Sequence, residues 1–337
     1  MKSHNDPHLF PFGYKLGAGL LLFAGMFFAA LTLGAADTTV RDVWLALTTS
    51  AKTDAVLILR EIRIPREVGA MVSGAALAVA GAIMQGMTRN PLADPGLLGL
   101  TAGANAALAI TLAFIPSADF IVITIASFIG AAAGTAFVFG LGSLNRGGFS
   151  PLRIVLAGAA VSAFLYAVAE AVSYLFKLSK DVTMWTSAGT AGTSWSQLQI
   201  IVPVIMGGII ISFILSKQLT VLSLSEETAI GLGQNIPKIK AVLFAVIILL
   251  AGAAVALVGN LAFIGLMIPH IVRAVVGMDY RYVIPMSAIC GATFMLLADT
   301  LGRTIYAPYE VPAAAIVAAM GLPFFLFIVR KGGRVFS

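Results

Sequence analysis

The feature that most constrains this chain is a series of long apolar stretches that carry almost no charge. Charged residues occupy only 11% of its 337 positions, against about a quarter in a typical soluble domain. Too few polar side chains are present to cover a surface in water, so lipid must cover much of it. Ten stretches approach the roughly 20 residues that a helix needs to cross a bilayer. These predicted spans are 14–35, 64–87, 96–115, 119–141, 152–176, 197–216, 238–258, 261–277, 282–302 and 311–330.

The apolar stretches are continuous rather than alternating, which excludes a membrane β-barrel and leaves helices. The predicted fold class is therefore an all-α integral membrane protein with about ten transmembrane helices. We expect a short tail at 1–13, a single ten-helix domain at 14–330 with a cytoplasmic loop at 217–240, and a second tail at 331–337.

An even number of spans puts both ends of the chain on one side of the membrane. Placing both ends in the cytoplasm gives the inner segments the larger share of Lys and Arg, as the positive-inside rule requires. Arg60, Arg63 and Arg66 are exceptions, because they cluster on the outer side. The net charge of +6 is spread over short loops, so it indicates membrane topology rather than nucleic-acid binding.

An internal repeat is visible at an offset of 178 residues, where Gly74–Gly81 matches Gly252–Gly259. Five spans separate the second helix from the seventh, so the two copies, helices 2–5 and 7–10, would run in opposite directions. Inverted repeats of this kind are typical of transporters. A chance match between helices rich in alanine and glycine is the alternative.

The sequence offers little for catalysis or for an internal energy source. It contains no Gly-Lys dipeptide and hence no Walker A loop, so we expect ATP hydrolysis to reside in another subunit. No nucleophile–base pair or metal cluster is recognisable, and Cys290 is expected to be a packing residue. Glu170 and Asp299 are the two carboxylates that a proton-coupled carrier could use. Neither has an obvious partner at helical spacing.

The loop between Lys217 and Lys240 predicts a short helix at the cytoplasmic face. Ser223 and Glu226 have the spacing of a capping box, and Gly231 or Gly233 can end the helix in the left-handed conformation. Such a helix suits docking to another protein. An inert amphipathic connector is the alternative.

Three segments together carry a family resemblance. The first is Arg63–Arg66 with Gly74–Gln85 and Asn90–Pro95, the second is Phe263–Arg273, and the third is Glu227–Asn235. The sequence resembles the permease subunit of type II ABC importers for iron siderophores, haem and vitamin B12. The resemblance covers essentially the whole chain beyond the first helix.

This resemblance implies a bacterial cytoplasmic-membrane protein that works with several partners. They are a second permease, identical or paralogous, two ATPase subunits and an extracytoplasmic binding protein. The ATPases would dock on the long loop through Ser223, Glu226, Glu227, Gly231 and Gly233. The chain itself would bind no cofactor, and ATP and Mg²⁺ would be held by the ATPase.

The resemblance also implies roles for residues at both faces. Arg63, Arg66 and Arg303 correspond to the arginines that pair with glutamates of the binding protein, although snorkelling anchors are the alternative. The cytoplasmic gate corresponds to Asn90, Leu92, Ser150, Pro151 and Leu152. The pathway candidates are Gly158, Ser162 and Glu170, for which helix packing is the alternative.

The expected cargo is a ferric siderophore, with haem or cobalamin as the second choice. A proton-coupled secondary carrier is the rival from another class of transporter.

Overall fold

The computed structural model describes residues 11–34, 38–143, 151–187 and 189–330, and these form an all-helical protein. A π-helical turn at Leu59–Arg63 leads into the helix that begins at Ile64, and a 3₁₀ turn at Pro95–Leu98 precedes the helix that begins at Leu100. The α-helices are α1 (Phe12–Thr32), α2 (Val40–Thr48), α3 (Asp54–Ile58), α4 (Ile64–Thr88), α5 (Leu100–Phe114), α6 (Phe120–Ser143), α7 (Pro151–Leu175), α8 (Ser179–Ser187), α9 (Trp195–Ile214), α10 (Ser216–Leu224), α11 (Glu226–Gly231), α12 (Ile236–Val258), α13 (Ile264–Val276), α14 (Tyr280–Thr304) and α15 (Ala313–Arg330).

Each of the ten predicted spans coincides with one apolar helix. Seven helical segments, which contain α1, α4, α6, α7, α9, α12 and α14, are long and apolar enough to cross a membrane. The other three helices, α5, α13 and α15, are shorter and apolar. The predicted fold class is confirmed. Residues 1–10 and 331–337 lie outside the described residues, so the tails and the side on which they lie stay predictions.

Helix α4 is the centre of the bundle, because α9, α12, α13 and α14 pack around it. It is buried almost continuously from Gly69 to Met87. Its glycines and alanines allow this, since small side chains let neighbouring backbones approach closely. A Cβ atom at Gly81 would lie only 1.9 Å from the carbonyl oxygen of Gly265 in α13. Gly74 makes the same kind of close approach to Gly291 in α14.

The outer helices carry large apolar side chains that the protein does not cover. Leu21 of α1, Phe137 of α6, Phe164 of α7 and Ile214 of α9 are all exposed. A surface of this composition is stable against lipid and not against water. The chain is a multi-pass membrane protein.

Two helices that were not predicted, α2 and α3, lie between the first and second spans. Thr39 and Asp42 form a capping box that starts α2, in which the Thr39 Oγ1 accepts a hydrogen bond from the Asp42 amide at 3.2 Å. Burial of Val43 and Ala46 leaves Trp44 and Leu47 exposed on the other face of α2. The Thr-x-x-Asp spacing was the available signal, and α2 is too short for a search based on spanning length.

The two segments of the sequence repeat occupy different places in their helices. Gly81 lies inside α4, whereas Gly259 is the residue at which α12 ends, with a φ of +72°. Pro91 lies in a turn, whereas Pro269 lies inside α13. The 178-residue offset therefore does not pair equivalent positions, although α4 and α12 pack against each other at the centre of the fold.

Candidate functional site

Two polar sites lie at opposite ends of α4. Arg66 belongs to its first turn and Arg89 directly follows its last residue. A helix of this length spans about 37 Å at 1.5 Å per residue. We call the end that holds α11 the α11 face. The group formed by Arg63, Arg66, Glu67, Asp299, Arg303 and Glu310 at the other end is the charged cluster.

At the α11 face the short predicted helix is present, but a different serine caps it. Ser223 lies inside α10, and its hydroxyl donates to the Thr220 carbonyl at 2.7 Å. Ser225 has an extended backbone and accepts a hydrogen bond from the Thr228 amide at 2.9 Å. The predicted cap at Ser223 is therefore wrong. A cap requires a non-helical residue, and α10 continues past Ser223 to Leu224.

The end of α11 follows the prediction. The helix ends at Gly231, and Gly233 adopts a left-handed backbone with a φ of +77°. The Gln234 amide then donates back to the Ala229 carbonyl at 2.9 Å. Asn235 caps α12 immediately afterwards by accepting from the Lys238 amide at 3.2 Å. Both ends of α11 are thus fixed, and the helix is held as a defined projection.

Glu226 fastens α11 to the rest of the protein. Its carboxylate accepts a hydrogen bond from the Lys240 ammonium of α12 at 2.6 Å and lies 3.5 Å from the Arg89 guanidinium. The hydrogen bond from Lys240 holds the pKa of Glu226 below its ordinary value, and the nearby Arg89 charge adds to this. Glu227 is exposed. Glu226 therefore joins α11 to both α12 and the end of α4.

The lowered pKa of Glu226 predicts that acid loosens α11. A depressed carboxylate pKa gives stability that is present above the ordinary value of 4.5 and is lost as pH falls through the lowered value. Glu226→Gln should remove the same contribution at pH 7. Both partners are partly exposed, so the loss is at most about 1 kcal/mol, or roughly fivefold faster amide exchange in α11. Hydrogen exchange corrected for the intrinsic pH dependence measures this.

Glu227→Gln is the matched control, because the neighbouring carboxylate makes no ion pair with any residue that the structure describes. Equal exchange rates in the two variants at pH 7 would contradict the assigned role of Glu226.

The predicted gate residues lie beside this face. Arg89 has a left-handed backbone and ends α4, and the Asn90 side chain accepts from the Leu92 amide at 3.0 Å to hold the turn that follows. Ser150 lies outside the described residues, and Pro151 and Leu152 begin α7. A cavity of about 50 Å³ lies between the start of α7 and the α11 face. Its lining is Met87, Thr88, Arg89, Ile154, Glu226, Lys240 and Phe244.

Of the predicted pathway residues in α7, Gly158 is buried, Ser162 is half-buried and Glu170 is exposed. Glu170 lies close to the end of α7 that is remote from the α11 face.

A buried polar pair that the sequence analysis did not identify lies within α4 and α13. The Gln85 amide donates to the carbonyls of Gly265 and Leu266 at 3.1 and 3.2 Å, and Arg273 donates to its oxygen at 2.5 Å. Gln85 ends the Gly74–Gln85 segment of the first motif that carries the family resemblance, and Arg273 ends the second motif. Their position in otherwise apolar helices was the signal that could have paired them.

The charged cluster brings the three predicted docking arginines together, but mostly inside the protein. Arg63 and Arg303 are only 6% and 4% exposed. Arg63 donates to the Leu31 carbonyl at 2.8 Å, and Arg303 donates to the Leu33 and Ala30 carbonyls at 3.1 Å. Both side chains therefore donate hydrogen bonds to carbonyls at the C-terminal end of α1, where positive charge is favourable.

Carboxylates of the same bundle neutralise these arginines. Asp299 accepts from Arg66 and from Arg303, with nearest contacts of 3.0 Å to each. Arg303 also donates to Glu67, and the Thr190 hydroxyl donates to Asp299. Asp299 was predicted to have no partner at helical spacing, although Arg303 follows it by one helical turn. That interpretation was wrong, and Asp299 is an ion-paired residue.

One ion pair of the charged cluster lies partly at the protein surface. Arg66 donates both to buried Asp299 and, at 2.9 Å, to Glu310, whose side chain is 41% exposed. Arg63 and Arg303 do not present free guanidinium groups for a partner. The expectation that they pair directly with a docking protein is corrected by their burial, and Arg66 is the member of the three closest to the surface.

Comparison with known proteins places the chain among membrane permeases. A model of the FecCD transport family matches residues 20–331. The chain is 41% identical to the iron(3+)-hydroxamate import system permease protein FhuB of Bacillus subtilis over 94% of its own length and 83% of that protein. It is 35% identical to the hemin transport system permease protein HmuU of Yersinia pestis over 94% of its own length and 95% of that protein.

A solved structure shares the fold. It is described as an inward-facing conformation of a metal-chelate type ABC transporter. It aligns with a TM-score of 0.81 at 26% identity and covers 95% of this chain and all of the other. The helical architecture described above is thus the same as that of this transporter.

Proposed function

The chain belongs to the FecCD transport family, and from this premise we propose that it forms half of the membrane pathway of an ATP-driven importer for iron-siderophore complexes. The similarity to the hydroxamate permease over nearly the whole chain is the observation that carries the proposal. Greater identity to that permease than to the hemin permease favours a siderophore over haem. Haem or cobalamin is the second candidate cargo.

Energy for transport enters at the α11 face. Leu224, Ile230 and Leu232 are 68%, 64% and 65% exposed there. They surround a helix whose two ends are fixed and whose Glu226 is tied to α4 and α12. A rigid projection with an apolar tip is the surface that a partner protein buries on binding. We assign it to the ATPase, which holds ATP and Mg²⁺, and each of the two permeases in the complex would bind one ATPase.

Movement of α11 would reach the gate through two routes. Glu226 contacts Arg89, which directly precedes the turn of Asn90 and Leu92. The cavity that Glu226 and Arg89 line is also bordered by Ile154, near the start of α7. The gate would comprise that turn together with Ser150, Pro151 and Leu152. Gly158, Ser162 and Glu170 of α7 would line the path that the gate closes, against a second permease.

The binding protein would dock at the opposite end of α4, over the charged cluster. Arg66 and Glu310 form the part of the cluster nearest the surface, so contact there is the revised form of the docking proposal. Arg63 and Arg303 would act from inside by holding α1 against α4 and α14.

Replacing Ile230 and Leu232 together with aspartate should abolish ATPase binding. Burial of two exposed aliphatic side chains contributes about 1.5–3 kcal/mol each, so the affinity should fall at least about 100-fold. Titration of the purified permease with its cognate ATPase in detergent measures this. The thermal stability of the permease alone should not change, because both side chains point away from it.

The matched control replaces Ile230 with leucine and Leu232 with isoleucine, which keeps the apolar surface. The control should bind the ATPase within a few-fold of the wild-type chain. Undiminished ATPase binding by the double aspartate variant would remove α11 from the coupling surface.

A further inference from the structure

A further polar feature, separate from the charged cluster and from the α11 face, lies beside α7. An open groove of about 660 Å³ runs between α5, α7 and α8. This volume falls in the range of small-molecule sites. Its lining includes Asn105, Tyr166, Glu170, Tyr174, Thr183 and Thr186.

Glu170 is the carboxylate of this groove. It lies in an apolar helix that qualifies as a membrane span, and it forms no ion pair with any of the residues that the structure describes. An ionisable side chain in such a segment is costly and is usually matched by a partner or a pathway. Asp299 is matched by two arginines, whereas Glu170 faces an open groove.

Three of the hydroxyls that line the groove offer hydrogen-bond acceptors. The hydroxyls of Ser173, Thr183 and Thr186 donate to carbonyls one turn earlier in their own helices, at 2.7, 2.7 and 3.0 Å. Their hydrogens are therefore used, and the oxygen lone pairs remain available as acceptors. No lysine or arginine is among the described residues that line the groove.

The same groove presents aromatic surface. Tyr166 and Tyr174 each lie about one helical turn from Glu170 on α7, on either side of it, and both are solvent-accessible. Aromatic faces attract cations through the ring quadrupole. A carboxylate, acceptor oxygens and aromatic rings together favour an ammonium group over a neutral or anionic one.

The groove is near the end of the protein that carries the charged cluster. Helix α7 ends at Leu175 beyond Glu170, and the chain continues through α8 to Thr190, whose hydroxyl donates to Asp299. A solute that enters from the side of the charged cluster would meet this groove before the gate residues at the α11 face.

We propose that the groove is a binding site for the positively charged group of the transported chelate, with Glu170 pairing with a primary ammonium on its periphery. This inference rests on the proposed function as a ferric-chelate importer. It assigns to the permease itself a preference for cationic over neutral chelates.

The test compares two probes that differ only in charge. One is a ferric trihydroxamate with a free primary amine, and the other is the same chelate with that amine acetylated. Initial uptake of each, labelled with radioactive iron, is measured in proteoliposomes that contain the permease, its ATPase and the binding protein. Any preference of the binding protein is common to all permease variants, so it cancels when their uptake ratios are compared.

Glu170→Gln should lower the ratio of amine to acetylated uptake about tenfold, since a hydrogen bond to a charged group is worth roughly that factor or more. Glu170→Asp keeps the charge and should retain most of the preference. Glu61→Gln removes an exposed carboxylate outside the groove and should leave the ratio unchanged.

Equal loss of uptake for both chelates in Glu170→Gln, with an unchanged ratio, would overturn the proposal and assign Glu170 to packing or to contact with the second permease. Failure of the wild-type complex to transport either chelate with ATP would instead refute import of ferric trihydroxamates by this permease, and the inference with it.

Discussion

Replacing Gly81 with alanine is expected to prevent α4 and α13 from packing and to remove most of the folded protein. A Cβ atom at this position would lie 1.9 Å from the Gly265 oxygen and 2.4 Å from its Cα and carbonyl carbon. These are backbone atoms that no rotamer change can move aside. Overpacking of a well-packed core usually costs about 1–3 kcal/mol of stability and sometimes more. Because the clash is with backbone atoms, we expect Gly81→Ala to cost at least the upper value of that range. The monodisperse yield and the unfolding temperature in mild detergent measure the loss.

Gly207→Ala provides the matched control in another spanning helix. A Cβ atom at Gly207 in α9 would meet nothing within 4 Å. Alanine is also the better helix former, so this variant should be at least as stable as the wild-type chain. Equal unfolding temperatures for the Gly81 and Gly207 variants would show that α4 and α13 are not in backbone contact.

Replacing Asp299 with asparagine should produce the second large effect. The carboxylate is fully buried and accepts from Arg66, Arg303 and Thr190. Removing one partner of a buried ionic group leaves the other charges uncompensated, which costs about 3–5 kcal/mol. Asparagine keeps the shape, so the loss would report charge rather than a cavity. The unfolding free energy in a fixed detergent, measured with denaturant, gives the value.

Glu310→Gln is the control for charge at the same arginine. Glu310 also pairs with Arg66, but its side chain is 41% exposed, and exposed pairs contribute about 0–1 kcal/mol. The Asp299 variant should therefore be several kcal/mol less stable than the Glu310 variant. If both variants unfolded at the same denaturant concentration, the charged cluster would not be the structural element described here.

The charged cluster also changes how the docking arginines can be tested. Reversing the charge of Arg63 and Arg303 would place acidic groups beside Glu67 and Asp299 inside the protein. Loss of uptake in such variants would follow from misfolding as readily as from failed docking. Substitutions at Arg66 and Glu310, accompanied by a measurement of folded yield, separate the two causes.

The ten apolar helices were predictable because their signal is local. A run of apolar residues long enough to cross a bilayer is recorded directly in the sequence, and lipid imposes the helical solution. Helix α11 was predictable for a similar reason, since Gly233 has the backbone freedom that its end requires. The choice between Ser223 and Ser225 as the cap was not predictable, because it depends on how far α10 continues.

The contacts within the charged cluster could not be predicted from local sequence patterns. Arg66 and Asp299 lie 233 positions apart, and their pairing depends on how α4 packs against α14. The pair of Gln85 and Arg273 is likewise set by the packing of α4 on α13. The pair of Asp299 and Arg303 is different, because a carboxylate one turn before an arginine is a local signal. It was available in the sequence and was overlooked.

Helix α4 connects the two ends of the protein in this account. The charged cluster fixes its first turn to α1 and α14, and Arg89 beyond its last turn contacts Glu226 of the projecting α11. A close-packed helix of this kind shifts as a unit rather than by deformation. In the proposed function, docking at one face would thereby be connected with the proposed gate at the other.

The central claim, that a separate ATPase drives this permease through α11, is tested most directly by purifying the chain from its native membrane in mild detergent and identifying the proteins that accompany it by mass. We predict a P-loop ATPase in the eluate of the wild-type chain and its absence when Ile230 and Leu232 are aspartate. Recovery of the wild-type chain without an ATPase in several mild detergents, together with uptake that survives ATP depletion and collapses with an ionophore, would contradict the account and favour a proton-coupled carrier.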